Sequence, residues 1–113
     1  MKLGIIGCGA IGSDVGKAAD NIKEIEKIFL FDIKTNASRK LCNSLKKAEI
    51  KPVKEFLRDV DIVFEAASQH AVEEYAELII SSGKDLVIMS VGSLLNSKFK
   101  DKLEKIADLI KSI

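Results

Sequence analysis

The 113-residue chain contains no tryptophan and only one tyrosine, one proline, one histidine and two cysteines. Without an aromatic platform or a basic block, it has nothing of the kind that stacks on bases and neutralises phosphates, so nucleic-acid binding is not expected. Lysine and arginine number 18 against 17 for aspartate and glutamate, which leaves no net field to draw in a polyanion or an anionic membrane. No apolar run reaches the ~20 residues of a membrane-spanning helix. The short apolar start runs straight into a glycine motif and does not read as a signal peptide. Cys8 and Cys42 have neither CxxC nor metal-ligand spacing, so no metal site is expected and both read as reduced thiols of a cytoplasmic protein. With no linker, repeat or low-complexity segment, residues 1–113 read as one domain, large enough for a core.

What is present is concentrated in the first 32 residues. Lys2-Leu3-Gly4-Ile5-Ile6 reads as an apolar strand and leads into Gly7-Cys8-Gly9-Ala10-Ile11-Gly12. A second strand, 27–32, closes on Asp32, twenty positions after Gly12. Strand, GxGxxG, helix and distal acid together form the dinucleotide-binding fingerprint, whereas the glycines alone would be weak evidence. Gly7 allows the turn out of the strand, Gly9 allows close approach of a pyrophosphate, and Gly12 allows the helix to pack on the sheet. Ala10 and Ile11 open a helix whose unpaired amides and positive dipole end favour an anion. Asp32 is suited to accept hydrogen bonds from the adenosine ribose and to repel a 2′-phosphate, which favours NAD. Lys34 and Arg39 lie near enough in sequence to keep NADP open.

Along the chain, strand-like and helix-like periods alternate. A helix is expected from Ala10 to about Ile22, with Ile11, Val15, Ala18, Ala19 and Ile22 on its apolar face. A second follows over 37–47, capped by Asn36 and facing inward through Leu41 and Leu45. Residues 49–53 read as an edge strand, where Pro52 is tolerated, and 54–58 as a helical turn. The near-continuous apolar runs 60–66 and 86–91 read as buried parallel strands. Between them Ser68 would cap a helix over 71–82 that stops at Gly83. An amphipathic helix from about Ser97 closes the chain, with Phe99, Leu103, Ile106, Ile110 and Ile113 in one stripe. The order predicts a Rossmann-like, doubly wound parallel sheet in three α/β/α layers, with strand order 3-2-1-4-5.

In such a sheet the ligand lies beyond the carboxyl ends of the strands, at the switch point between strands one and four. Three loops reach that edge: 7–12, Ala66-Ala67-Ser68-Gln69-His70, and Val91-Gly92-Ser93-Leu94. The second offers small residues followed by hydrogen-bonding groups. His70 suits contact with cofactor or solvent at a helix start better than proton transfer, since no partner is identifiable by spacing. Glu65, inside a strand, is expected to accept hydrogen bonds from backbone or loop groups, because burying it unpaired is costly.

The segment Glu65-Ala66-Ala67-Ser68-Gln69-His70-Ala71-Val72 with Tyr75-Ala76, the glycine motif, and the stretch Val87 to Leu94 together resemble L-aspartate dehydrogenase, especially its archaeal and thermophilic members. The resemblance spans most of the chain. It implies oxidation of L-aspartate by NAD(P)+ to iminoaspartate. It also places Ala10 and Ile11 at the pyrophosphate and Asp32 at the ribose. Ala66, Ala67, Ser68, Gln69 and His70 would line the central and nicotinamide side, with Gly92 and Ser93 as the far wall.

Members of that family are about twice as long and carry their catalytic histidine in a second, α+β domain, which the resemblance does not match to any residue here. The expectation is therefore a cofactor-binding domain without catalytic residues of its own, inactive alone and completed by a missing or separate catalytic domain. An exposed sheet edge beside the last helix also makes a homo-oligomer an expected arrangement. Two other readings stay open. One is a stand-alone Rossmann module that senses nucleotide for a partner. The other is the cofactor domain of an enzyme resembling homoserine dehydrogenase or dihydrodipicolinate reductase, since fold does not settle substrate.

Overall fold

The computed structural model describes residues 1–66, 75, 77–79 and 81–88. Five strands, β1 (Lys2–Ile6), β2 (Lys27–Phe31), β3 (Ala48–Ile50), β4 (Ile62–Glu65) and β5 (Asp85–Ile88), form one sheet in the order β3-β2-β1-β4-β5. Every neighbouring pair is parallel, with Leu3 opposite both Ile28 and Ile62. The doubly wound topology expected from the alternating periods is the one observed.

Strand side chains alternate between faces, and here both faces are apolar. Leu3, Ile5, Ile28, Leu30 and Phe64 point to the side covered by α1 (Ala10–Asp20) and α2 (Thr35–Ser44). Ile6, Phe29 and Val63 point to the side covered by α3 (Val53–Phe56) and by helical residues 75 and 77–79, where Ile79 is fully buried. Gly4 lies on that second face with Phe56. A Cβ at Gly4 would come within 2.7 Å of the Phe56 ring, so the missing side chain makes room for the ring. Phe56 in turn stacks on Phe29, with centroids 6.1 Å apart.

Several element ends differ from the sequence reading. The buried stripe of α1 runs through Gly12, Val15, Gly16 and Ala19, while Ala18 is exposed and Ile11 half-buried. The helix therefore turns its glycines inward and approaches the sheet more closely than an all-aliphatic stripe allows. Helix α2 starts two residues before the expected Ala37 and stops at Ser44 instead of 47. Its N-cap is Lys34, with no side-chain cap bond, so Asn36 is not the cap. At the other end the Asp20 carboxylate accepts the backbone N–H groups of Lys46 (3.1 Å) and Lys47 (3.0 Å). Those amides are thereby turned away from helical acceptors, and Leu45 is already extended. The edge strand β3 lies at 48–50, before Pro52, which caps α3. Lys27 and Lys51 both reach Glu49 across this edge, at 3.1 and 3.4 Å. The hydrogen bond from Lys27, with help from Lys51, holds the Glu49 carboxyl below its ordinary range. Gly83 has φ +74°, consistent with the expected helix stop. The expected Ser68 cap and the helix from Ser97 lie outside the described residues.

The Gly4–Phe56 fit generates a stability prediction. Gly4→Ala alone is expected to cost about 1–3 kcal/mol by overpacking. In a Phe56→Leu background the same change is expected to cost measurably less, because the obstructing ring is gone. Urea unfolding of the four proteins in this double-mutant cycle reads both numbers.

Candidate functional site: a glycine loop braced by Asp32

The site begins where β1 ends. Gly7 has φ +99°, a left-handed conformation that favours glycine, and its N–H donates to the Phe31 carbonyl at 2.8 Å. The chain then turns outward and enters α1 at Ala10. Gly12 allows the helix to dock, since a Cβ there would collide with the Gly7 carbonyl oxygen. The first helical hydrogen bond runs from Ser13 N–H to the Gly9 carbonyl at 2.8 Å. No side chain caps this helix start and no acid stands in its first turn. The amides of Ala10, Ile11 and Gly12 therefore face outward without intrahelical acceptors.

Gly9 differs from the other two motif glycines. Its φ is −77°, which any residue adopts, and a Cβ at that position would meet nothing within 4 Å. Neither backbone strain nor packing within the protein requires glycine here. A Cβ at Gly9 would instead occupy open space in front of the uncapped helix start. A dinucleotide pyrophosphate fits that space and those donors.

Asp32 stands immediately after β2 and its carboxylate is a brace. One oxygen accepts the Cys8 N–H at 2.7 Å, and the other accepts the Lys34 N–H at 2.8 Å. The carboxylate thus ties the glycine loop to the start of α2. Each carboxylate oxygen has two lone-pair sites, so two acceptor positions stay available for a pair of hydroxyls. Ile33, next in the chain, is the most exposed large apolar residue among the described ones, at 78%. Sequence reasoning passed over it. The signal was there, since an isoleucine directly after a strand-terminal acid has no core to enter.

Cys8 points inward. Its thiol is 4% exposed and faces the Phe31 carbonyl at 3.7 Å. Burial, with the Asp32 and Cys42 charges adding, pushes the thiol up from the usual 9.0 to about 12. The motif's free position is thus an apolar anchor, not a nucleophile.

Beside the loop, between α1 and α2, opens a cleft of about 460 Å³ to which Gly9, Ala10, Ser13, Lys17 and Lys40 contribute. It lies on the β2 side of the loop. On the β4 side, Ala66 donates its N–H to the Ile6 carbonyl at 2.8 Å and so sits beside the glycine turn. Glu65, fully buried at the end of β4, has an interaction partner, as its burial demands. The structure thus gathers Gly7, Gly9, Ala10, Ile11, Gly12, Asp32 and Ala66 at one sheet edge. Ala67, Ser68, Gln69, His70, Gly92 and Ser93 lie outside the described residues.

A parallel sheet of this order with a glycine loop, free helix amides and a strand-terminal acid defines a Rossmann-type dinucleotide-binding domain. The sequence pattern of one family, homoserine dehydrogenase, NAD binding domain, matches residues 7–111, and the chain belongs to that family of NAD-binding domains. It is 34% identical over 110 residues to the L-aspartate dehydrogenase of Methanothermobacter thermautotrophicus, covering 96% of this chain and 43% of that protein. With the L-aspartate dehydrogenase of Methanocaldococcus jannaschii it is 39% identical over 120 residues, covering 97% and 42%. The chain therefore spans about two-fifths of the length of these relatives. Among solved structures, a UDP-N-acetylglucosamine 3-dehydrogenase from Acidithiobacillus ferrooxidans superposes with a TM-score of 0.69 at 21% identity, covering 98% of this chain and 36% of that one. That likeness is one of fold. No helix among the described residues is long and apolar enough to cross a membrane.

Two predictions follow from the loop. The Cys8 thiol is held neutral in the fold, so its contribution to stability is complete below about pH 9 and is lost as pH rises towards 12. Melting curves between pH 8 and about 12 should fall more steeply for the native chain than for Cys8→Ala. Separately, Asp32→Ala removes the acceptor for two backbone amides and should cost about 1–3 kcal/mol of stability in cofactor-free protein. Denaturant unfolding measures that loss directly.

Proposed function

We propose that this NAD-binding domain serves an oxidoreductase acting on L-aspartate. The observation that carries the cofactor geometry is Gly9, a glycine that the protein's own packing does not require, placed before uncapped helix amides. In this reading the amides of Ala10 and Ile11 hold the pyrophosphate. The two remaining acceptor sites of Asp32 take the ribose hydroxyls, and Ile33 lies against a face of the adenine. Ala66 and, by sequence, Ala67, Ser68, Gln69, His70, Gly92 and Ser93 line the nicotinamide side. Bound NAD+ supplies a hydride acceptor. This chain's residues position it; Asp32 disfavours a charged 2′-substituent, while Lys34 and Arg39 are near enough in sequence to keep NADP open.

The substrate assignment rests on the L-aspartate dehydrogenases among the relatives and on the Ala66–His70 segment. In this reading the proton acceptor is supplied by a further catalytic domain, on the same polypeptide or on a separate one, in keeping with a chain that spans about two-fifths of the length of these relatives. Reduced Cys8 and Cys42 suit a cytoplasmic setting.

Calorimetric titration with NAD+ and NADP+ tests the site. Gly9→Ala should leave unfolding stability nearly unchanged while weakening NAD+ by about tenfold or more, because its Cβ meets cofactor and not protein. Asp32→Ala should weaken NAD+ by roughly 10–100-fold and narrow the NAD+/NADP+ difference. Unchanged NAD+ affinity in Gly9→Ala would overturn this placement of the pyrophosphate. Aspartate-dependent NADH formation by residues 1–113 alone would overturn the requirement for a catalytic domain.

A further inference from the structure

The cleft between α1 and α2 opens from the glycine loop itself. Cys8 and Gly9 belong to its lining, and its volume is about 460 Å³. Ser13 and Lys17 extend one wall along α1, at the i, i+4 spacing that puts two side chains on one helix face. Lys40 and Ser44 extend the other wall along α2 with the same spacing. Arg39 lies one residue, about 100°, away around α2. It is absent from the lining, as is Lys34.

The hydroxyl protons of this cleft are already spent. Ser13 donates to the Cys8 carbonyl at 3.2 Å, and Ser44 to the Leu41 carbonyl at 2.8 Å. The Cys8 thiol faces the Phe31 carbonyl. The side-chain donors that remain are the ammonium groups of Lys17 and Lys40, one on each wall and both on exposed residues. Among the described residues, no carboxylate lines the cleft. Asp20, near Lys17 on α1, is taken by the Lys46 and Lys47 amides, and Asp14 is exposed and outside the lining. Asp32 is tied to the cleft through its 2.7 Å bond from the Cys8 N–H. A ligand hydroxyl held on the open acceptor sites of Asp32 therefore stands beside Cys8, where the cleft begins.

We propose, resting on the placement of the ribose at Asp32, that Lys40 admits NADP by receiving its 2′-phosphate in this cleft, with Lys17 opposite. The phosphate oxygens only accept hydrogen bonds, and two ammonium groups on facing walls are donors of the matching kind and charge. Asp32 opposes the phosphate by like charge, so a carboxylate holds the ribose while two cations face its 2′ position. That balance gives a site that prefers NAD+ and tolerates NADP+. Lys34 and Arg39 are nearer to Asp32 along the chain, but the face of α2 turned to the cleft presents Lys40.

The test titrates the full 113-residue chain with NAD+ and with NADP+ by calorimetry, at low and at high salt. Lys40→Gln should weaken NADP+ by about tenfold and leave NAD+ within about twofold. Lys40→Arg, which keeps the charge, should retain most of the NADP+ affinity. Arg39→Gln removes an equal charge outside the cleft and should weaken NADP+ by only about twofold. High salt should weaken NADP+ more than NAD+ in the native chain, and that excess should vanish in Lys17→Gln/Lys40→Gln. Exchanging NAD+ for NADP+ should shift amides of residues 13–17 and 40–44. Unchanged NADP+ affinity in Lys40→Gln, an equal loss of both nucleotides, or a loss as large in Arg39→Gln would each overturn this inference alone. A native chain that binds neither nucleotide would instead overturn the placement of the cofactor, and this inference with it. The substituted residues are exposed, and circular dichroism melting confirms that each variant is folded.

Discussion

One carboxylate organises the described part of the cofactor site. Asp32 accepts the Cys8 amide with one oxygen and the Lys34 amide with the other, and so fixes the glycine loop, the end of β2 and the start of α2 as one unit. Hydrogen bonds to an ionised acceptor are stronger than neutral ones, and these two span segments that share few other polar contacts. The Gly7 N–H to Phe31 carbonyl bond closes the same junction from below. The loop is therefore held in shape by the protein before any ligand arrives. That spares the ordering cost that binding would otherwise incur.

The parallel sheet explains why function collects at one edge. Each strand must return by a crossover before the next begins, so every loop that follows a strand emerges on the same side. Gly7–Gly12, Asp32 and Ala66 are brought together by that rule, although they are far apart in sequence. The opposite edge receives only the segments that lead into strands.

Much of this was legible in the sequence. Alternating periods gave the order of the described elements, the apolar runs gave parallel strands, β4 fully buried among them, and the fingerprint gave the loop and its acid. The losses are instructive. Helix α2 begins and ends elsewhere than its pattern implies, because the amides of Lys34, Lys46 and Lys47 are taken by the carboxylates of Asp32 and Asp20. One of those captures spans 26 residues, and no local pattern reports it. The exposed Ala18 and buried Gly16 reversed an aliphatic count, since close helix–sheet approach rewards the absence of a side chain.

By itself, then, the sequence determined the fold class, the strand order and the identity of the motif residues, because periodicity and turn chemistry are local and additive. It also carried the resemblance to L-aspartate dehydrogenase in the residues that follow β4. The tertiary structure decided which of these residues the protein's own packing requires and which it does not. Gly7 and Gly12 are required by the fold, Cys8 is buried as an anchor, and Gly9 alone of the motif glycines faces open space. The physical reason is that a missing side chain is meaningful only with respect to what would have touched it, and that neighbour is set by the packing of distant segments.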